Sequence, residues 1–374
     1  MKVIVLSMTV GQGHNSAGKA VASYLIDHGH EVQVIDTYKF LNKLIGEAMD
    51  KGYTFMGRSL PKLNEMIYEQ AEKVNGRADM KIYFPFAFTD LYKPKMRRFL
   101  DEEDPDVIIC THIFCAILMT QLKEANMLKK HLPLYGILTD YTLHPFWEYT
   151  AMDYFVVANE LLIPSVCRRG IPKEKILPFG IPVRKEFAVT HDQQAMRKKL
   201  GLDPDKLVCL LSSGGRGFGA MDKLLLQADQ LENIQFVAVC GTNVFLKRKL
   251  DRMTFKNDVR VCGFVTNMDE YIDAADYLVA KPGGLSTQEA LAKRKTLILT
   301  PPLPGVEDMN LMFLVNNSLA VHTNKYMPLN EVIMQLRMNK QKVASMHEAC
   351  ERWGRPHSSK TLGDFIIKNF EESR

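Results

Sequence analysis

The chain has 374 residues, 46% of them hydrophobic and 24% charged, a balance that excludes a disordered or fibrous protein. That length exceeds what one hydrophobic core supports, so two α/β domains of about 150–200 residues each are expected. The formal net charge of +5 is too small to argue for a nucleic-acid partner and does not oppose contact with anionic lipid.

Residues 2–7 read as a β run, Gly11-Gln12-Gly13-His14 as a turn, and residues 16–28 as a helix, before a second strand at 31–36. The same alternation returns with strands expected at 106–110, 134–138, 154–158 and 176–179, which makes the first half a parallel sheet. Residues 81–100, KIYFPFAFTDLYKPKMRRFL, set Tyr83, Phe84, Phe86, Phe88 and Tyr92 beside Lys93, Lys95, Arg97 and Arg98. Two readings stand here: rings entering a lipid headgroup region while the cations meet anionic phosphates, or a core-packed loop followed by a helix with a solvated basic face. Tyr53-Thr54-Phe55-Met56 extends the same apolar surface. The charged stretch 184–206 reads as a linker, and a second strand series follows at 207–211, 235–240, 259–262, 277–280 and 296–300. At the end, Ser358 and Ser359 are candidate caps for a helix with Leu362, Phe365, Ile366 and Phe370 at helical spacing.

Seven cysteines occur with no CxxC pair, several inside apolar runs, as expected of buried thiols in a reducing compartment. MKVIVLSM runs straight into a glycine turn with no signal-peptide cleavage region. The longest apolar stretch, 107–120, is broken by Thr111 and His112 and is too short to span a bilayer. A cytoplasmic chain, peripheral on the inner face of the membrane, is expected.

In open parallel sheets ligands bind beyond the carboxyl ends of the strands, where His14, His112, Asp140 and His144 fall. An imidazole there can deprotonate a hydroxyl, with a carboxylate nearby to orient it; loop histidines equally serve as helix caps. Ser213-Gly214-Gly215-Arg216-Gly217-Phe218-Gly219 follows a strand and can cradle phosphate. No acid stands at a strand end about 20 residues later, which disfavours NAD. Lys281-Pro282-Gly283-Gly284 breaks the 277–280 run, and Ser286 or Thr287 can cap the helix that follows. Free N–H groups at such a turn hold a diphosphate without a metal, and Glu289 can accept from ribose hydroxyls; Gly-Gly is also ordinary strand-to-helix packing. Asp104-Pro105-Asp106 and Asp203-Pro204-Asp205 precede strands and read as turns, so no metal site is expected.

Taken together, Gly11-Gln12-Gly13-His14, Pro105-Asp106-Val107-Ile108, Thr111-His112, Thr139-Asp140-Tyr141 with His144 and Trp147, Gly180-Ile181-Pro182-Val183, the 213–219 loop, Cys240-Gly241-Thr242-Asn243, Gly263-Phe264-Val265 with Met268, Lys281-Pro282-Gly283-Gly284, Glu289-Ala290 and Pro304-Gly305 through Asn310 resemble the monogalactosyldiacylglycerol synthase and processive diacylglycerol glucosyltransferase family. The resemblance covers almost the whole chain. It implies a GT-B fold, two Rossmann-like parallel-sheet domains facing a cleft, here 1–183 for acceptor and membrane and 207–354 for the UDP-sugar, with 355–374 crossing back to the first domain.

It also implies inverting transfer of glucose or galactose from UDP-glucose or UDP-galactose to diacylglycerol or glycosyl-diacylglycerol at an anionic membrane surface, without cofactor or metal. His14 would be the base with Asp140 beside it, and Gly13, His112, His144 and Trp147 would lie on the acceptor side. Phe264 and Val265 would meet the uracil, and Met268 would lie on the donor-binding side. Ser213, Gly214, Gly215, Arg216, Gly217, Pro282, Gly283, Gly284, Leu285 and Ser286 would meet the phosphates, and Glu289 the ribose. The chain departs from the pattern at Val306, where the family usually has Gln, and at Ser213, which replaces a glycine. Glu307, Asp308 and Asn310 remain as sugar contacts. A transferase for a peptidoglycan-precursor-like lipid, a UDP-sugar 2-epimerase and a non-catalytic UDP-sugar sensor are the alternatives.

Overall fold

The computed structural model describes residues 1–9, 12–42, 84–212, 214–215 and 220–373. Tyr53-Thr54-Phe55-Met56 and Tyr83 lie outside them. The chain divides into two compact units, Met1–Lys185 with Leu303–Val306 and His357–Arg374, and Glu186–Pro302 with Glu307–Pro356.

The first unit carries β1 (Lys2–Ser7), α1 (Gln12–Asp27), β2 (Glu31–Asp36), α2 (Thr37–Leu41), α3 (Phe84–Glu103), β3 (Val107–Cys110), α4 (Ile113–Glu124), β4 (Leu134–Ile137), β5 (Tyr154–Val156), α5 (Ile163–Arg168) and β6 (Ile176–Leu177). Its strands are parallel in the order β2-β1-β3-β4-β5-β6. The second carries α6 (Gln193–Leu200), β7 (Leu207–Ser212), α7 (Met221–Ala228), β8 (Ile234–Val239), α8 (Val244–Asp251), β9 (Asp258–Cys262), α9 (Met268–Ala274), β10 (Tyr277–Ala280), α10 (Gly284–Ala292), β11 (Thr296–Leu299), α11 (Val306–Asn316), β12 (Val321–His322), α12 (Leu329–Met338) and α13 (Lys340–Trp353). Its order is β12-β11-β10-β7-β8-β9, again all parallel. Strands such as VIIC and TLIL are buried along their whole length, as central strands covered on both faces must be.

The last helix, α14 (Ser358–Glu372), belongs to the first unit. Leu362 and Ile366 enter the core formed by Val3, Val5, Val21, Leu25 and Ile109. Phe365 lies edge-on to the rings of Tyr135, Tyr154 and Phe179. Ser358 and Ser359 do not cap this helix: their hydroxyls donate to the carbonyls of Ile181, at 2.9 Å, and Val183, at 2.5 Å, which pins the helix start to the chain after β6.

Residues 186–206, expected as linker, are part of the second unit and fold partly into α6. Arg197 explains the attachment: its buried guanidinium donates to the Ala274 carbonyl at 3.0 Å and to Asp276 at 2.6 Å. Nearby, Asp273 and Lys293, both fully buried, form an ion pair at 2.7 Å that His191 joins through Nδ1 at 2.8 Å. Charge in this stretch reports internal pairing rather than a solvated tether. The Asp-Pro-Asp segments are turns: Asp203 accepts from the Asp205 and Lys206 amides at 2.9 and 3.3 Å, and Asp106 accepts from the Lys2 amide at 2.7 Å.

Gly363 meets α1 so closely that an added Cβ would lie 2.2 Å from a ring carbon of Tyr24. Gly363→Ala is therefore expected to cost about 1–3 kcal/mol of stability. Urea unfolding followed by far-UV dichroism checks this, and an unchanged midpoint would contradict the contact.

Candidate functional site

Each sheet reverses direction once, between β1 and β3 in the first unit and between β7 and β10 in the second. At such a point the connections leave on opposite faces, and the loops after the two strands border an opening.

In the first unit this brings His14 to the loop after β3. Helix α1 begins at Gln12, so His14 sits in its first turn rather than in a preceding loop, with Gly13 beside it. Ser7, at the end of β1, donates to Asn15 at 2.5 Å, Asn15 donates to Thr9 at 3.3 Å, and Thr9 bonds Asp36. His14 Nδ1 lies 2.8 Å from the Thr111 carbonyl and 3.0 Å from the Thr139 hydroxyl. A carbonyl only accepts, so Nδ1 carries the proton, and the neutral ring keeps its lone pair on Nε2. Among the described residues no hydrogen bond engages Nε2.

The other two histidines are used differently. His112 Nδ1 accepts the Phe114 amide at 3.1 Å and His144 Nδ1 accepts the Phe146 amide at 3.3 Å, each capping a helical turn. The His112 ring stands edge-on to His14, with 4.7 Å between centroids. Burial pushes the His112 pKa well below the usual range, helped by His14 and His144; burial also lowers His144, to about 4, with Arg169 adding to the effect. His14 is lowered by burial too, but the Asp140 charge and the Thr111 carbonyl pull it back upward. Trp147, expected beside the acceptor, is 5% exposed and packs on Gly136 and Phe155, because the missing side chain at Gly136 leaves room for the indole edge.

In the second unit the same reversal joins the loops after β7 and β10, whose last residues Ser212 and Ala280 are partners in register. Gly214 and Gly215 are described; Ser213, Arg216 and Gly217 lie outside the described residues. The Gly215 carbonyl accepts from the Thr242 amide at 2.9 Å and its hydroxyl at 3.1 Å. Gly241, at φ +57°, approaches so near that an added Cβ would lie 2.4 Å from the Gly215 oxygen. Helix α10 starts at Gly284 with Gly283 at the cap position, one turn earlier than the expected Ser286 or Thr287 caps, and no side chain caps it. Ser286 instead donates to the Gly283 carbonyl at 3.4 Å. The amides of Gly284, Leu285 and Ser286 thus form the positive end of the helix, with half-buried Glu289 one turn in.

Asn310, expected to meet a sugar, is fully buried and donates to the Pro282 carbonyl at 3.0 Å; it braces the turn from behind. Glu307 pairs with Lys281 at 2.7 Å, and Asp308 is exposed. Phe264 is 60% exposed beyond β9, with Val265 and Met268 half-buried beside it.

The segment read as lipid-facing forms one helix, α3, from Phe84 onward; the side chains of Phe84, Phe86 and Phe88 lie outside the described residues. Lys93 pairs with Asp90 at 2.7 Å and Arg97 with Asp101 at 3.6 Å. Lys95 donates to the Phe40 carbonyl at 2.7 Å, Arg98 is exposed, and Tyr92 is buried in the core. Sequence reasoning assigned no role to Asn15, Thr111, Thr139, Thr242 or Lys281. All but Asn15 stood inside quoted motifs, which was the available signal.

Residues 14–183 match the family model described as monogalactosyldiacylglycerol (MGDG) synthase, and residues 208–361 match the glycosyltransferase family 28 C-terminal domain. The processive diacylglycerol beta-glucosyltransferase of Bacillus cytotoxicus is 28% identical over 98% of this chain and 93% of its own length; that of Bacillus subtilis is 25% identical over 99% and 96%. Among solved structures, MurG of Acinetobacter baumannii superposes with TM-score 0.65 at 15% identity, covering 98% of this chain and 99% of that one. The UDP complex of S. aureus MnaA gives 0.65 at 11% over 99% and 97%. UDP-GlcNAc 2-epimerase of Neisseria meningitidis, bound to UDP-GlcNAc, gives 0.63 at 13% over 98% and 100%. These likenesses establish the GT-B fold. Residues 14–183 are thus a monogalactosyldiacylglycerol synthase domain and residues 208–361 a glycosyltransferase family 28 C-terminal domain, in a chain similar over its length to processive diacylglycerol beta-glucosyltransferases.

Proposed function

We propose that this chain transfers a hexose, glucose or galactose, from a UDP-sugar to diacylglycerol or glycosyl-diacylglycerol at a membrane surface, with inversion and without metal or cofactor. The observation that carries this reading is the tautomer of His14, which holds its proton on Nδ1 against the Thr111 carbonyl and offers Nε2 as a base. The acceptor oxygen attacks the anomeric carbon and the bond from that carbon to the diphosphate oxygen breaks. The acceptor proton passes to Nε2, and the electron pair leaves with UDP.

The amides at Gly284, Leu285 and Ser286, together with the Gly214–Gly215 turn, supply fixed dipoles for the diphosphate, and Glu289 supplies an acceptor for ribose. Phe264 offers an exposed ring to the uracil. The epimerase likeness concerns fold alone, whereas the sequence relatives act on diacylglycerol by name, which favours the glycolipid reading. Helix α3, with exposed Leu91, Lys95, Arg97 and Arg98, supports a peripheral membrane role for the first unit.

Incubation with labelled UDP-glucose or UDP-galactose and diacylglycerol vesicles tests the activity; nucleotide binding without glycolipid would leave a sensor, and release of an epimerised sugar an epimerase. His14→Ala is expected to lower turnover about 10²–10⁴-fold with UDP affinity unchanged by calorimetry. Unaltered turnover would remove His14 from the chemistry.

Because the His14 pKa lies below its ordinary 6.5, the basic form persists through neutral pH, and kcat/KM should fall only as pH drops beneath that value. Asp140→Asn removes a charge that raises this pKa, so the acid limb of the profile should move to lower pH while the plateau rate falls; a limb moving upward would contradict the assignment. Gly241→Ala should push Gly215 aside and weaken UDP binding by about tenfold or more, measured by calorimetry, with turnover at saturating donor less affected.

A further inference from the structure

Helix α8 in the second unit has a face that the fold does not use. Leu246 and Leu250, one turn apart, are buried in the core of that unit. On the opposite side, positions 245, 248, 249 and 252 share a face by helical spacing: Phe245, Arg248, Lys249 and, at the C-cap, Arg252. Phe245 is 84% exposed and its neighbour Val244 is 55% exposed. Lys249 pairs with Asp222 and Lys247 with Asp251; among the described residues Arg248 and Arg252 have no carboxylate partner. Of the three cations on this face, Arg248, Lys249 and Arg252, only Lys249 is paired with a carboxylate among the described residues.

Phe245 is held out by a rigid base rather than by a loose end. The Asn243 side chain caps the helix through the Leu246 amide at 2.9 Å, and Thr242 and Gly241 are locked to Gly215. What sets this ring apart from a singly exposed side chain is its setting, beside exposed Val244 and on one face with Arg248, Lys249 and Arg252 of a capped helix. The apolar part is one ring and one isopropyl group, far short of the roughly 800 Å² per partner of a standard protein interface. It suffices for an interfacial contact in which a ring enters the headgroup zone and nearby arginines meet phosphates.

We propose that the outer face of α8 is a contact surface for an anionic lipid bilayer, with Phe245 and Val244 in the headgroup region and Arg248, Lys249 and Arg252 on lipid phosphates. This contact is additional to helix α3 and does not depend on glycosyl transfer.

The test uses the full chain and vesicles of phosphatidylcholine with or without phosphatidylglycerol. In Phe245→Trp the introduced indole should shift its emission to the blue and be quenched by brominated acyl chains on the anionic vesicles. The two native tryptophans, buried Trp147 and half-buried Trp353, give a background that is recorded on the wild-type chain and subtracted. The double variant Phe245→Ser with Arg248→Ser should partition onto anionic vesicles about tenfold more weakly while keeping its urea midpoint. An introduced indole that stays unquenched on those vesicles, or equal partition of wild type and double variant, would overturn the proposal.

Discussion

The reversal of strand order in each sheet is the constraint on which the rest of the structure depends. Parallel strands lie about 4.8 Å apart, so the residues that follow two neighbouring strands start side by side. Where successive connections run to the same side, a crossover covers the gap; where the order reverses, nothing covers it. Between β1 and β3 that geometry places the first turn of α1 against the Thr111 carbonyl, since Leu6 and Cys110 are partners in register. Between β7 and β10 it places Gly215 and Gly283 after adjacent strand ends. The chemistry of each unit is therefore located by topology before any side chain is chosen.

Side chains then divide the labour among three imidazoles in one neighbourhood. His112 and His144 accept backbone amides, an interaction that protonation at Nδ1 would abolish, and burial adds to the cost of charging them. They stay neutral and act as helix caps. His14 donates through the corresponding nitrogen, so protonation at Nε2 breaks no hydrogen bond within the described residues. Asp140 offsets part of the desolvation that a cationic His14 would suffer. One ring of the three is thus suited to take up and release a proton, and the difference lies in whether Nδ1 faces an oxygen or an N–H.

Much of this was legible in the sequence. The strand runs appear at their expected places, because alternation of buried apolar runs with helical spacing survives in every βα repeat; β12, a two-residue strand at the sheet edge, was missed. Capping was read less well. Ser358, Ser359 and Ser286 have cap-forming side chains, yet tertiary carbonyls within reach captured the first two, and a glycine one turn earlier took the cap position from the third. Asn310 and Trp147 were read as ligand-facing from their motifs, although a motif residue can serve the site by bracing backbone, as Asn310 does for Pro282. The partners of His14 were invisible as chemistry because one of them is a main-chain carbonyl, which every residue type possesses.

On the proposed reaction, the described residues of the second unit would stabilise a leaving diphosphate mainly through backbone. The Lys281 charge is already met by Glu307, so the turn adds little net charge, and what remains are amide dipoles at the start of α10. Dipoles help a developing charge only if they are already aimed, since turning them during the reaction would forfeit the gain. Three contacts supply that aim: Asn310 fixes the Pro282 carbonyl, Thr242 fixes the Gly215 carbonyl from two atoms, and Gly241 excludes any side chain from the space between. Val306, where the family usually has glutamine, leaves all three contacts intact. On the proposed reaction its consequence would fall on the sugar, as a change in which hexose is accepted with diphosphate binding preserved.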